Sequence, residues 1–159
     1  MLAKLVADLD YPMYIVTAAA RGERSGCLVG FGTQTSIRPE RFLACISRKN
    51  HTLKVAAEAD ALAVHFLSDE PKQRELAELF GGETGDETDK FERCSWHEGA
   101  AGAPLLDDIP NRFVGRVLER LDLGDHIGFL VDPIDAERGD RVDELGFQGA
   151  KDIEPGHPA

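Results

Sequence analysis

The chain has 159 residues, of which 42% are hydrophobic and 30% charged, a composition typical of one soluble globular domain with its own core. Its net charge of −11 and pI of about 4.8 argue against a nucleic-acid partner, because phosphate backbones are bound by basic surfaces. No apolar run is long enough to span a membrane, and the first residues lack the apolar stretch of a signal peptide.

Six strands are predicted from β-branched and aromatic residues and from the alternation of apolar with polar positions. They cover residues 11–18, 27–35, 41–47, 62–67, 113–121 and 126–131. A polar turn over residues 21–26 predicts that the first two strands pair as a hairpin.

Two short helices are predicted between these strands. The first covers residues 52–59. Ser68 opens the second, Pro71 lies in its first turn, and Gly81-Gly82 end it. Because the first three strands follow one another without helices, the pattern favours a mainly β fold, a small antiparallel barrel with short inserted helices, over a βαβ fold.

The remaining stretches are predicted to be irregular. Residues 83–111 are rich in Gly, Asp and Glu, and this range is expected to be mostly loop, anchored by Phe91 and Trp96. After Pro133 the chain is polar, which predicts a surface arm or a disordered tail beyond about Val142.

The cysteines and histidines predict no metal site. Cys27, Cys45 and Cys94 are widely spaced and form no Cys-x-x-Cys motif, and no His-x-x-x-His or paired acidic motif is present. Cys27 and Cys45 lie in apolar runs, where free cysteine behaves as a small buried hydrophobe. Few and unpaired cysteines favour a reducing, cytoplasmic location.

A first polar cluster follows the second predicted strand. Gly30 and Gly32 would let the backbone approach a ligand closely, although strand glycines equally mark a bulge or a tight corner. Thr35 stands where a dinucleotide fingerprint needs its third glycine, and no helical pattern follows. Hydroxyl and amide groups follow at Thr33, Gln34, Thr35 and Ser36. These groups suit a hydroxyl-rich anionic ligand, or they are simply solvated.

A second polar cluster follows the next strand. Ser47, Lys49, Asn50 and Thr52 combine hydroxyls, an amide and a cation with a helix start, which are the usual ingredients of a phosphate site. The same residues could form only a turn and a helix N-cap. Since the two clusters end consecutive strands, they can be neighbours in a barrel.

His126 is a candidate catalytic residue. It follows Gly124-Asp125 at a predicted strand start, where it could donate a hydrogen bond to a ligand or serve a structural role. His65 lies within a strand and is expected to be packed. The spacing shows no Ser-His-Asp or Cys-His constellation.

These features together resemble the flavin reductase-like, FMN-binding split-barrel family. Six short motifs of that family occur in order between Tyr11 and Val131, and Asp132-Pro133 departs from its apolar closing strand. The matching positions are Gly26, Thr33, Ser36 and Pro39, then residues 47–52 and 76–80, Lys90-Phe91, residues 104–106, and Gly124-Asp125-His126.

The resemblance implies a split barrel over residues 1–145, followed by a polar tail over residues 146–159. It implies hydride transfer from NADH or NADPH to FMN or FAD, with no acid or base required from the protein. His126 would lie near the nicotinamide or the flavin ring edge, and Lys49, Asn50 and Thr52 near the phosphate. The implied flavin contacts are Thr33, Gln34, Thr35, Ser36, Ser47, Lys49, Asn50 and Thr52.

The implied assembly is a homodimer with the flavin at its interface. Phe80, Phe91 and Trp96 are candidates to cover the flavin. The reduced flavin could be supplied to a partner monooxygenase. The alternative is a non-catalytic FMN-binding or electron-carrier protein on the same barrel, and oxidation of NADH with added FMN would distinguish the two.

Overall fold

The computed structural model describes residues 1–82, 89–140 and 143–154. Seven strands form one antiparallel sheet in the order β2-β1-β5-β8-β9-β4-β3, and β6 and β7 form a separate two-stranded sheet. The strands are β1 (Tyr14–Ala20), β2 (Glu23–Val29), β3 (Gly32–Ile37), β4 (Glu40–Ser47), β5 (Ala61–Phe66), β6 (Trp96–Glu98), β7 (Pro104–Leu106), β8 (Arg112–Asp122) and β9 (His126–Glu137). The α-helices are α1 (Leu2–Val6), α2 (Thr52–Ala56), α3 (Pro71–Gly82) and α4 (Phe147–Ala150), and Lys90–Arg93 and Ala100–Gly102 are 3₁₀ helices.

The mainly β, antiparallel fold with inserted helices is therefore confirmed. The outer strands of the large sheet are β2 and β3, and no strand pairing joins them within the described part of the chain. None of the helices described there has the length and apolarity needed to cross a membrane.

The prediction of one strand over residues 27–35 is wrong, because the chain changes partners there. β2 pairs with β1, whereas β3 pairs with β4. Between them, the Phe31 carbonyl accepts a hydrogen bond from the Cys45 amide at 2.9 Å, which directs the chain towards β4. A Cβ at Gly30 would lie only 3.1 Å from the Tyr11 ring, so the break occurs at a close approach that suits glycine.

Two further stretches are more ordered than predicted. Within the predicted loop, β6 and β7 pair, with Trp96 opposite Leu106; residues 83–88 of that loop lie outside the described residues. β9 is not interrupted at Pro133 and continues to Glu137. Pro133 lies opposite Gly115, where the register of β8 shifts, and such an irregularity accommodates a residue without an N–H.

The core lies on both faces of β1. Val16 and Ala18 pack into one buried cluster with the α2 residues Val55 and Ala56, while Ile15 points to the opposite face. The second cluster is covered by α3 and contains Met13, Ile15, Leu67, Leu76, Ala77, Leu79, Phe80, Phe91, Leu106, Ile109, Leu145 and Ala150. Phe80 and Phe91 are buried in this cluster, and their role as covers of the flavin stays a prediction; Trp96 is half-buried, with the Arg24 guanidinium over its ring at 4.4 Å.

The C-terminal segment 143–154 is not the surface arm or disordered tail that its polarity predicts. Leu145 is only 2% exposed, and its amide donates to the Leu67 carbonyl at 2.9 Å. The Phe147 amide donates to the Tyr11 carbonyl at 2.8 Å, and the two rings stack with centroids 4.8 Å apart. Burial of these apolar side chains holds the segment against β1 and α3, while residues 141–142 and 155–159 lie outside the described residues.

Candidate functional site

A cleft of about 300 Å³ lies where β2 and β4 end and β9 begins, and we call it the strand-end cleft. It brings together three of the predicted site residues, Ser47, Asn50 and His126. The other walls come from the ends of β2 and α3 and from the C-terminal segment. They include Leu28, Val29, Gly30, Phe31, Cys45, Phe80, Gly81, Phe147, Ala150, Lys151 and Ile153.

Strand register explains why Ser47 and His126 meet. β4 ends at Ser47 and β9 begins at His126, and these two residues lie directly opposite each other. The chain turns after Ser47, where the Asn50 amide donates to the Ser47 carbonyl at 3.0 Å. The Asn50 Oδ1 then accepts from the Thr52 amide at 2.9 Å at the start of α2. Asn50 is therefore fixed at the cleft by the turn and the helix start.

The His126 ring is oriented by its neighbour in sequence. Its Nδ1 lies 2.7 Å from Asp125 Oδ1, and hydrogen bonding to His126 lowers the pKa of this carboxyl group. Because an ionised carboxylate only accepts, Nδ1 carries the proton and donates. Within the described ranges no hydrogen bond to the His126 Nε2 is found. This leaves Nε2 available to a ligand.

Phe31 supplies an aromatic surface beside this histidine. Its ring centroid lies 4.9 Å from that of His126, with the planes inclined by 48°. The side chain is 54% exposed although it is large and apolar. An exposed aromatic next to an imidazole at a cleft is a suitable platform for a planar ring. Sequence reasoning missed Phe31, yet its position between Gly30 and Gly32 was a usable signal.

Two residues of the second cluster do not line the strand-end cleft. Thr52 is only 1% exposed, and its Oγ1 lies 2.8 Å from Ser25 Oγ. Lys49 is exposed, and its amide donates to the Ser47 Oγ at 3.2 Å. The Thr52 hydroxyl therefore has a structural partner, but it does not cap α2, whose N-cap residue is His51. The assignment of Lys49 and Thr52 to a phosphate stays a prediction.

The first polar cluster, residues 33–36, does not line the strand-end cleft. Thr33 pairs with Leu43, four residues before Ser47 on β4, which corresponds to about 13 Å along a strand. Thr33 and Gln34 line a second cavity of about 690 Å³, which we call the aromatic groove. Thr35 and Ser36 line neither cavity, and the Ser36 carbonyl accepts from the Gln34 side-chain amide at 3.2 Å.

The aromatic groove combines four rings with charged side chains, among them two paired arginines. Tyr14, Phe42, Phe66 and Phe113 line it and contact one another, mostly edge to face. Arg41 forms an ion pair with Asp132 at 2.9 Å, and the buried Arg112 forms one with Glu137 at 2.7 Å. A third and larger cavity of about 820 Å³, between α3 and the C-terminal segment, is lined by none of the predicted site residues.

The C-terminal wall of the strand-end cleft could not be found by sequence reasoning. Phe147 and Lys151 line the cleft although they lie in a polar stretch without periodicity. Their position depends on contacts with Tyr11 and Leu67, which are far away in sequence. Nothing local in the chain indicates such packing.

Comparison with known proteins decides the family. The family model of the flavin reductase like domain matches residues 6–151, which is most of the chain. The chain belongs to this family. The resemblance seen in the sequence motifs is thereby confirmed.

Relatives and a solved structure agree with this assignment. The chain is 27% identical over 130 residues to a ferric-chelate reductase (NAD(P)H) of Archaeoglobus fulgidus, which covers 81% of this chain and 76% of the relative. It is 25% identical over 146 residues to the FMN reductase (NADH) RutF of Pseudomonas syringae pv. syringae, covering 92% and 80%. The structure of a flavin reductase domain protein from Arthrobacter sp. FB24 superimposes with a TM-score of 0.83 at 20% identity, covering 94% and 90%.

Proposed function

We propose that this protein is an NAD(P)H-dependent flavin reductase that binds FMN or FAD in the strand-end cleft. The observation that carries this proposal is the convergence of Ser47, Asn50 and His126 beside the exposed ring of Phe31. Family membership supports it, as do the names of the relatives, which include an FMN reductase (NADH) and a ferric-chelate reductase (NAD(P)H).

The residues of the cleft fit the chemistry of a flavin. An isoalloxazine ring needs apolar and aromatic contacts, which Phe31 and Phe147 offer, and its polar chain needs hydrogen-bonding groups, which Ser47 and Asn50 offer. Bound flavin accepts a hydride from the nicotinamide of NADH or NADPH. The protein's part is to align the two rings and to limit the access of water.

His126 has the geometry of a positioning donor or acceptor in this reaction. Asp125 holds the ring through Nδ1, so Nε2 can meet a polar atom of the flavin edge or of the nicotinamide. The sequence also predicts flavin contacts at Thr33, Gln34, Thr35, Ser36, Lys49 and Thr52, none of which lines the strand-end cleft, so this proposal does not depend on them. Of these, Thr33 and Gln34 line the aromatic groove and Thr52 is hydrogen-bonded inside the protein.

We further propose a homodimer built on a split barrel. Phe31, Ile37 and Phe66 are exposed large apolar side chains that a second subunit could cover in such a dimer. Light scattering at ~10 μM should give about twice the chain mass of 17.4 kDa, because an obligate pair stays associated at this concentration. A monomer would contradict the dimer. A cytoplasmic location and a monooxygenase that receives reduced flavin stay predictions.

The proposed activity is tested by mixing the purified protein with FMN or FAD and recording the visible spectrum. Addition of NADH or NADPH under anaerobic conditions should bleach the visible absorbance of the oxidised flavin. Protein that binds flavin without being reduced by either nucleotide would be a carrier instead. Protein that binds no flavin at ~100 μM would contradict the proposal, since a useful site binds below that concentration.

A further inference from the structure

The C-terminal segment is built into the fold as a wall of the strand-end cleft. Main-chain hydrogen bonds attach it on both sides: the Met13 amide donates to the Leu145 carbonyl at 3.1 Å, and the Leu145 amide donates to Leu67. The Gln148 amide donates to Asp10 Oδ1 at 3.0 Å. Burial of Leu145 and Ala150 adds apolar contacts. The position of this wall is therefore set by the protein alone, before any ligand binds.

This anchored segment presents Lys151 at the cleft. Phe147 begins α4, and Lys151 follows it by four residues, a spacing that places two side chains on one face of a helical turn. Both residues line the cleft. The Phe147 ring is fixed by stacking on Tyr11, so the backbone that carries Lys151 is fixed as well.

Lys151 differs from the other residues of the cleft in its charge. Among the described residues that line it, Lys151 is the one with a permanent charge, and none is an aspartate or glutamate. In the part of the chain that the structure describes, its ammonium group takes part in none of the ion pairs. An unpaired cation in the same cleft as Ser47 and Asn50, in a chain of net charge −11, is a feature that fits an anionic ligand group.

We propose that Lys151 recognises the phosphate of the flavin and so makes the cleft prefer FMN to riboflavin. This inference rests on the proposed function, because it assigns a role within the same site. It replaces Lys49, which lies outside the lining of the cleft, as the cation of the phosphate site. A charge-assisted hydrogen bond from an ammonium group to a phosphate oxygen is the interaction involved.

The test compares the affinities for FMN and riboflavin, which differ only in the phosphate. Flavin fluorescence titrations would be made with the unmodified protein and with the Lys151→Gln, Lys151→Arg, Lys49→Gln and Lys54→Gln variants. Lys54→Gln is the matched control, since Lys54 is an exposed lysine of α2 that lines none of the three cavities. Thermal melts of each variant would show that folding is intact.

Lys151→Gln should lower the affinity for FMN roughly tenfold and leave the affinity for riboflavin within about twofold, as expected for the loss of one charge-assisted contact. Lys151→Arg should restore most of the FMN affinity. Added salt should weaken FMN binding more in the unmodified protein than in Lys151→Gln, because screening acts on the charge that the variant lacks.

Three results would overturn the assignment while leaving flavin binding intact. They are unchanged FMN affinity in Lys151→Gln, equal losses for FMN and riboflavin, and a selective loss of FMN in Lys49→Gln alone. If the unmodified protein bound neither flavin, the proposed function itself would fail, and the role of Lys151 would fail with it.

Discussion

The two ends of β4 carry two very different cavities. At one end the aromatic groove is lined by Phe42 and three other rings, and two of its three arginines, Arg41 and Arg112, are already paired with carboxylates. At the other end the strand-end cleft is smaller, but Lys151 and the Nε2 of His126 face it without such partners in the described residues. Groups that are already paired have less to offer a ligand than groups that are not.

The larger of these two cavities is not the better candidate for a ligand site. The groove has about twice the volume of the cleft, yet two of its arginines, Arg41 and Arg112, are engaged in ion pairs that tie β4 and β8 to β9. The cleft collects the ends of three strands, one helix and the C-terminal segment. Chain ends and turns supply polar groups that a sheet has not already paired, so the cleft is the better site for chemistry.

His126 provides the test with the largest expected effect. His126→Ala should lower the rate of flavin reduction by NADH by about tenfold to a thousandfold, the range for one positioned polar group. FMN affinity should change little, because the ring and the chain of the flavin have other contacts. Stopped-flow absorbance measures the rate, and fluorescence titration the affinity.

The control for this prediction is His97→Ala. His97 is likewise bonded to an aspartate, Asp107, but it is exposed, lies on β6 and lines neither the cleft nor the groove. Its removal should leave the reduction rate unchanged. Equal rates in both variants, with a lower melting temperature for His126→Ala, would make His126 a structural residue.

The sequence could predict the elements whose signals are local. β4 and β5 were anticipated to within about two residues, because apolar runs with β-branched side chains lie between clear turns. The helix α3 was anticipated from Pro71 at its start and two glycines at its end. The break between β2 and β3 was not anticipated, because it depends on which strand each of the two pairs with.

The site shows the same division between local and distant information. Ser47, Asn50 and His126 were found because polar residues at strand ends follow a recognisable pattern. Phe147 and Lys151 were not found, since a polar stretch becomes a wall only through contacts with residues more than 100 positions away. The first cluster was placed with the second because consecutive strands can adjoin at either end, and the sequence does not state which end.

Acid should act on the sheet face opposite the groove through His65, which pairs with Ile15 and alternates along β5 with the groove residue Phe66. His65 is fully buried; its Nδ1 lies 3.0 Å from the Ile15 carbonyl, and its Nε2 accepts from the Leu106 amide at 3.0 Å. Burial lowers its pKa to about 4, below its ordinary value of 6.5. The unfolded chain therefore binds a proton first, and about 3 kcal/mol of stability should be lost as the pH falls from 6.5 to 4.

Urea unfolding at pH 7.5, 6, 5 and 4 would measure this loss. His65→Asn should be less stable at every pH, but its stability should depend much less on pH over the same window. The carboxyl groups with lowered pKa values, Asp107, Asp122 and Asp125, begin to lose their contribution only below about pH 5, so the loss between pH 6.5 and 5 reports on His65. An unchanged slope in His65→Asn would contradict the prediction.

Substitutions at Phe31 and Thr33 test directly which cavity binds the flavin. Phe31→Ala should weaken FMN and riboflavin alike by roughly tenfold, because a stacked ring and its buried apolar area are lost. Thr33→Ala, two residues further on and lining the groove, should leave both affinities within about twofold. Fluorescence titration of both variants measures this. The opposite outcome would move the flavin to the first cluster.

Thr52 gives the smallest expected effect and separates a structural role from a role in phosphate binding. Its hydroxyl is buried and lies 2.8 Å from that of Ser25, so Thr52→Val leaves the Ser25 hydroxyl without this partner. The free energy of unfolding should fall by about 1 kcal/mol, while FMN affinity stays within about twofold. Chemical denaturation and fluorescence titration would be measured on the same preparation. A selective loss of FMN over riboflavin, with stability unchanged, would instead mean that Thr52 holds the phosphate and that the structural role assigned to its hydroxyl is wrong.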